Sequence, residues 1–177
     1  PLSSLDAQLR QELREELARL HRFTRTTSIY VTHDQKEALS LGDRVAVFER
    51  GRVRQVGTPE TVYRDPRDLF VARFVGDPAI NLIEGEVAAN DSGVSFRAAG
   101  FALPLPGRAA RQGRAILGLR PEALSVAPPG TAAPRATVLR LEHLGGETLL
   151  HLRLEAGTIV LRAAQGGPLP EADEAVA

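Results

Sequence analysis

Cysteine is absent from the 177 residues, which rules out both a disulfide framework and a thiolate metal site and suits a reducing compartment. Lysine is nearly absent: Lys36 is the only one. A phosphate loop of the G-x-x-x-x-G-K-[ST] type needs a lysine directly after glycine, and Lys36 follows Gln35. If a nucleotide is involved, most of its binding site is not in this chain. An excess of either charge is missing too, with 22 Lys and Arg against 22 Asp and Glu. No overall field therefore favours nucleic acid or an anionic membrane. From Ile80 onward the aromatics are Phe96 and Phe101, and nine arginines meet ten acidic residues. Single-strand binders need basic grooves with stacking platforms, so no nucleic-acid partner is expected. No apolar run approaches the ~20 residues of a membrane span, and no signal-peptide pattern is present. Pro1-Leu2 opens without an initiating Met, as in a fragment or an excised domain.

What is present centres on residues 28–41, S-I-Y-V-T-H-D-Q-K-E-A-L-S-L. Ile29, Tyr30 and Val31 read as a short strand, buried on both faces as in a parallel sheet. The run ends in Thr32-His33-Asp34, and a helical pattern follows to Gly42. Asp34 followed by Glu37 has capping-box spacing, so Asp34 or Thr32 starts the helix. His33 then sits on a strand-to-helix corner, where ligands bind in open α/β sheets. A histidine there can offer a ring nitrogen to a phosphate oxygen or an attacking water, with its charge switching near physiological pH.

Ahead of this stretch, residues 6–21 have a helical stripe of Leu9, Leu13, Leu17 and Leu20 opposite a charged face, which predicts a core-facing helix. After it come strand 44–49, a turn at Arg50-Gly51 and a returning strand 52–56. Thr58 caps a helix with Pro59 at its first position, running to about Arg64, and residues 68–74 form another short amphipathic helix. Near Val75-Gly76-Asp77-Pro78 the character changes. Short strands are predicted at 83–89, 93–97, 101–105, 115–120, 136–141, 147–154 and 158–162, the pattern of a small barrel or sandwich. Residues 166–177 read as a loose tail.

These motifs, in this order, resemble the ATP-binding subunit of an ABC importer of the carbohydrate branch, the maltose and glycerol-3-phosphate type. P-L-S-S-L-D-A at 1–7 is similar to the segment after the Walker B acids, including the D-loop. Residues 28–41 resemble the switch-histidine strand and helix, and G-T-P-E-x-V-Y-x-x-P within 53–73 the end of the nucleotide-binding domain. F-V-G-D-P-A-I-N-L-I-E-G-E-V at 74–87, L-R-P-E at 119–122 and L-G-G-E-T-L-L-H-L at 144–152 are similar to the family's OB-like regulatory (TOBE) domain.

The resemblance implies an α+β chain. A partial P-loop NTPase α/β portion, the carboxy-terminal part of a nucleotide-binding domain, would occupy residues 1–75. A mostly β OB-like regulatory domain would occupy 76–177. His33 would contact the γ-phosphate and attacking water, while Ser3, Leu5 and Asp6 would sit in a D-loop at the interface with a second copy. Arg120, Pro121 and Glu122 would form a structural corner. The complete protein would use ATP and Mg, pair as a homodimer and bind membrane permease subunits at the cytoplasmic face of a bacterial-type inner membrane. A regulatory protein would have its place at the second domain. It would power import of sugars or related solutes. The phosphate loop, Q-loop glutamine, L-S-G-G-Q signature and Walker B acids have no counterpart in these residues. The chain alone is therefore expected to be inactive, with no bound cofactor or metal. The alternative is a stand-alone regulatory or interaction module with no ATPase role.

Overall fold

The computed structural model describes residues 7–90, 93–105, 111–128, 131, 133–164 and 169–176. The chain is α+β and divides into two compact units, Pro1–Gly76 and Asp77–Ala177.

The first unit opens with α1, Ala7–Thr24, and α2, Gln35–Leu41. The leucine stripe of α1 does not face a core as expected: Leu9, Leu17 and Leu20 are exposed, and Leu13 is half-buried. The reason is geometric. Among the described residues the element that α1 packs against is α2, whose seven residues are too short to cover an 18-residue stripe. Side-chain pairs along the helix, such as Arg19 on Glu16 at 2.7 Å and Gln11 on Glu15 at 2.7 Å, hold its polar face. His21 Nε2 lies 3.1 Å from an Asp43 carboxylate oxygen and ties α1 to the loop beyond α2.

The strand expected at 28–31 is not formed. The segment carries no strand assignment, and Ile29 and Val31 are 91% and 89% exposed. A strand exists by pairing its backbone donors and acceptors with a neighbour, and no described strand runs beside this one.

The core of the first unit lies further on. β1, Val45–Glu49, and β2, Arg52–Gly57, form an antiparallel hairpin. Its turn has positive φ at both Arg50 (48°) and Gly51 (78°), the twist that matches flanking strands. α3, Pro59–Arg64, starts on a Thr58 cap with Pro59 in the first turn, as the sequence indicated, and α4, Leu69–Phe74, starts on an Asp68 cap. Val47, Val62, Val71 and Val75 make a buried cluster. Buried Gln55 fastens β2 to the loop between these helices. Its Nε2 donates to the Asp65 carbonyl at 3.0 Å, and its Oε1 accepts from the Arg67 amide at 2.8 Å. Pairing slips between Val47 and Phe48, leaving Arg54 as the extra residue of a bulge. Its guanidinium is thereby aimed at Asp68 (2.8 Å), at Glu49 (3.5 Å) and over the Phe70 ring (6.0 Å). The Val71 backbone amide holds the Asp68 carboxyl below its ordinary range against the opposing effect of burial, with the Arg54 charge adding to the lowering.

The second unit is two four-stranded antiparallel sheets. One has the order β5-β4-β3-β6, built from β3 (Asn81–Asn90), β4 (Gly93–Ala98), β5 (Phe101–Pro104) and β6 (Gly113–Leu119). The other has the order β10-β7-β8-β9, built from β7 (Ala136–His143), β8 (Glu147–Leu154), β9 (Gly157–Ala164) and β10 (Ala175–Val176). Each of the seven expected strands is found within a few residues of its expected limits. Ile83, Val87 and Phe96 from the first sheet and Val138, Leu150, Leu152, Ile159 and Leu161 from the second share one buried core.

The tail is not loose where it is described. β10 pairs with β7, the Asp173 amide donates to the Val138 carbonyl at 2.8 Å, and Leu169 and Val176 pack on the core. Two residues are too few to show strand periodicity in a sequence. The edge of β7, which needs a partner, supplies the order instead.

Two positions are decided by close approach. Phe96, almost fully buried, lies over Gly85, where a β-carbon would sit 2.3 Å from the Arg97 carbonyl oxygen and 2.4 Å from Phe96 Cζ. Asn81, 7% exposed, donates through Nδ2 to the Val160 carbonyl (2.8 Å) and the Leu119 carbonyl (3.1 Å), and its Oδ1 accepts from the Val160 amide (2.7 Å). It pairs the open edge of β9 and joins the two sheets. Gly85→Ala is expected to destabilise the second unit by about 2 kcal/mol through overpacking. Asn81→Ala should cost about as much by leaving the Val160 amide and carbonyl without their partner. Urea unfolding of the second unit checks both, and an unchanged midpoint in either variant would contradict its assignment.

Candidate functional site

The corner at 32–37 begins from alternation. In extended backbone, side chains two apart share a side. Tyr30 and Thr32 therefore face one way, while Ile29 and Val31 face outward. The inward side meets Glu37 in the first turn of α2. This residue is 3% exposed, and its Oε2 accepts from the Tyr30 hydroxyl at 2.9 Å and from Thr32 Oγ1 at 2.6 Å. Thr32 Oγ1 in turn accepts the Asp34 amide at 2.9 Å. Asp34 Oδ1 accepts the Lys36 amide at 2.7 Å and the Glu37 amide at 3.2 Å, capping α2.

The cap is therefore at Asp34, one of the two residues expected, but the box is built differently. A reciprocal capping box would send the Glu37 side chain back to the Asp34 amide. Here the Thr32 hydroxyl takes that amide, and Glu37 holds Thr32 and Tyr30. The Thr32 hydroxyl before His33, and the Asp34 amide and carboxylate after it, are thus hydrogen-bonded into one network.

His33 itself is exposed, with no hydrogen-bond partner for its ring among the described residues. The backbone around it is held while the imidazole remains open, which is how a side chain is presented to something outside. Farther along α2, Gln35 Nε2 donates to the Phe74 carbonyl and its Oε1 accepts the Gly76 amide at 2.7 Å. α2 is thereby anchored to the end of α4 as well as to its own first turn.

Burial, and secondly the bond to Glu37, raise the Tyr30 phenol above its ordinary range. Sequence reasoning singled out His33 and Asp34 but not Tyr30, Thr32 or Glu37 as one set. The signal was available in hindsight: two hydroxyl residues two apart in an extended run, with an acid five residues beyond the second.

The other expected site residues belong to other parts of the chain. Ser3, Leu5 and Asp6 lie outside the described residues. Arg120, Pro121 and Glu122 belong to the second unit, where Pro121–Ala123 form a 3-10 turn packed on β9. Pro121 is fully buried, Arg120 is half-buried with its carbonyl accepting the Ala123 amide at 3.0 Å, and Glu122 is exposed. The described residues hold no group of three or more His, Asp or Glu placed to bind a metal ion. As a donor set for a nucleotide, the corner suits contact with one phosphate edge through His33. It supplies no cradle of backbone amides around it.

Two family models match the second unit: the MalK OB fold domain over residues 76–124 and the TOBE domain over residues 117–177. Most of the chain is similar to sn-glycerol-3-phosphate import ATP-binding proteins. Identity is 49% over 173 residues to one from Rhizobium etli, covering 95% of this chain and 46% of that protein. It is 50% over 155 residues to one from Rhizobium johnstonii, covering 85% and 42%. A third, from Salmonella paratyphi A, is 46% identical over 167 residues, covering 93% and 46%. The chain spans about half the length of the curated relatives it matches.

The Tyr30–Glu37 bond has a spectroscopic consequence. The chain contains two tyrosines, so in a Tyr63→Phe background the ultraviolet phenolate signal reports Tyr30 alone. It should titrate above the ordinary tyrosine range, and Glu37→Gln should bring it down. The folded-state value is raised, so the bond's stabilisation is fully present below the unfolded value and lost as pH rises through the folded one. Ionisation at the ordinary position in the unaltered corner would remove the bond.

Proposed function

We propose a role for His33 in a chain that belongs, over its matched length, to the ATP-binding subunits of ABC-type importers and carries their TOBE region. The chain is part of a subunit that hydrolyses ATP to drive solute uptake, and His33 is the switch that senses the γ-phosphate. The observation that carries this reading is the corner itself: an open imidazole on backbone held from both sides, in the stretch that resembles the family's switch histidine.

ATP with Mg supplies the phosphoryl group and the metal charge when bound. In this reading His33 directs a ring nitrogen to the γ-phosphate oxygen and orients the attacking water. Phosphoryl transfer depends on such positioning and charge stabilisation rather than on covalent chemistry. The Tyr30, Thr32, Asp34 and Glu37 bonds fix the backbone from which the imidazole projects. The residues that cradle phosphate and hold the metal are not in this chain, so the complete protein is the hydrolysing species.

The remaining assignments follow the same reading. Ser3, Leu5 and Asp6 form the D-loop facing a second copy, and residues 1–75 are nucleotide-binding-domain sequence. Residues 76–177 form the regulatory domain, with Arg120, Pro121 and Glu122 as its structural corner and with a place for a regulatory protein. Permease subunits hold the protein at the cytoplasmic face of the inner membrane. No helix among the described residues is long and apolar enough to cross a membrane, and the permease would provide the crossing. The solute is a sugar or a related molecule, and the names of the relatives favour a phosphorylated glycerol.

In the complete protein, His33→Ala should lower ATP turnover at least about a hundredfold while ATP binding stays within about twofold. An interaction made mainly in the transition state behaves in this way. Steady-state hydrolysis and calorimetric nucleotide binding measure the two quantities. Near-normal turnover in this variant would remove His33 from the mechanism.

A further inference from the structure

We propose that Glu37, acting through Thr32, is the positioning residue for His33. The proposal rests on the role given to His33 above and goes on to name what holds that residue in place.

A polar residue in the first turn of a helix usually faces water, whereas Glu37 is 3% exposed. A buried acidic group needs partners, and the partners here are Tyr30 and Thr32, three residues and one residue before His33, rather than any arginine. No salt bridge to Glu37 exists among the described residues. The 2.6 Å bond from Thr32 Oγ1 fixes the Thr32 rotamer. Because that hydroxyl hydrogen is directed at Glu37, a lone pair is left for the Asp34 amide, which it takes at 2.9 Å. The one hydroxyl therefore spans His33, joining the residue before it to the residue after it. Glu37 sets which way the hydroxyl points. Tyr30 closes the other side of the same carboxyl oxygen at 2.9 Å.

The consequence is specific. Removing the Thr32 hydroxyl frees the peptide units on both sides of His33 without touching its ring. Misplacement of a reacting group by about 1 Å can cost a hundredfold in rate, and loosening of one bridged corner should cost less. In the complete ATP-binding protein, Thr32→Val is expected to lower kcat about tenfold, with KM for ATP and the thermal midpoint unchanged. Thr32→Ser, which keeps the hydroxyl, should recover most of that loss. The double variant Thr32→Val/His33→Ala should be no slower than His33→Ala alone, because the hydroxyl acts only through the imidazole.

Each outcome decides something. Unaltered kcat in Thr32→Val beside an inactive His33→Ala overturns the positioning role and leaves the role of His33 standing. Normal turnover in His33→Ala overturns both. If Thr32→Val lowers the thermal midpoint, Glu37→Gln carries the test, since it keeps the shape and weakens both bonds by removing the charge. A several-fold kcat loss at unchanged KM and midpoint then supports the proposal, and wild-type kcat overturns it. A further loss on top of His33→Ala in the double variant would show that the hydroxyl acts elsewhere and would also overturn it.

Discussion

The open edge of β9 is paired by one side chain. Asn81 gives the Val160 backbone both an acceptor and a donor, doing for that edge what a neighbouring strand would do. The two sheets of the second unit depend on it. β3 carries Asn81 and pairs with β6 and β4, and β9 carries the shared edge and pairs with β8. The requirement being met is general, since backbone donors and acceptors must be paired wherever they are withdrawn from water. Around that seam the unit can close Ile83, Phe96, Leu150 and Leu161 into one core. Gly85 permits the close approach of Phe96 on the way.

The first unit meets the same requirement unevenly. Its hairpin, the helices α3 and α4 and the Gln55 anchor pair their own backbone and bury four valines. Residues 28–31 have no such neighbour among the described residues, and the side chains of Ile29 and Val31 remain outside. The corner that follows them is nevertheless held, because its order comes from side chains rather than from a ladder. Glu37, Thr32 and Asp34 form a closed set of short bonds that does not need a sheet. A corner can therefore be shaped locally even where no described strand leads into it.

Sequence and structure agree best where the signal is local and repeated. Seven of the eight described strands after Pro78 were legible, because alternation over several residues bounded by Gly, Pro and Asn is a strong pattern. The Thr58 and Asp34 caps were legible too, because a cap is read from a few neighbouring residues. The leucine stripe of α1 was read correctly as a helix and incorrectly as buried, since periodicity reports which residues share a face and not whether anything covers it. Residues 169–176 were missed, because a two-residue strand has no period.

By itself, then, the sequence determined most of the elements, the order of the motifs, the place of His33 on a corner and the absence of a lysine-bearing phosphate loop. All of these depend on residue type and near spacing. Only the tertiary structure decided which elements found partners: β10 on β7, Asn81 on β9, and none described beside 28–31. It also decided that Glu37, spaced to cap its own helix, turns instead to Tyr30 and Thr32. A carboxyl goes where burial leaves donors unsatisfied. Which donors those are depends on how the extended chain passes over the helix, and the spacing of residues does not encode that path.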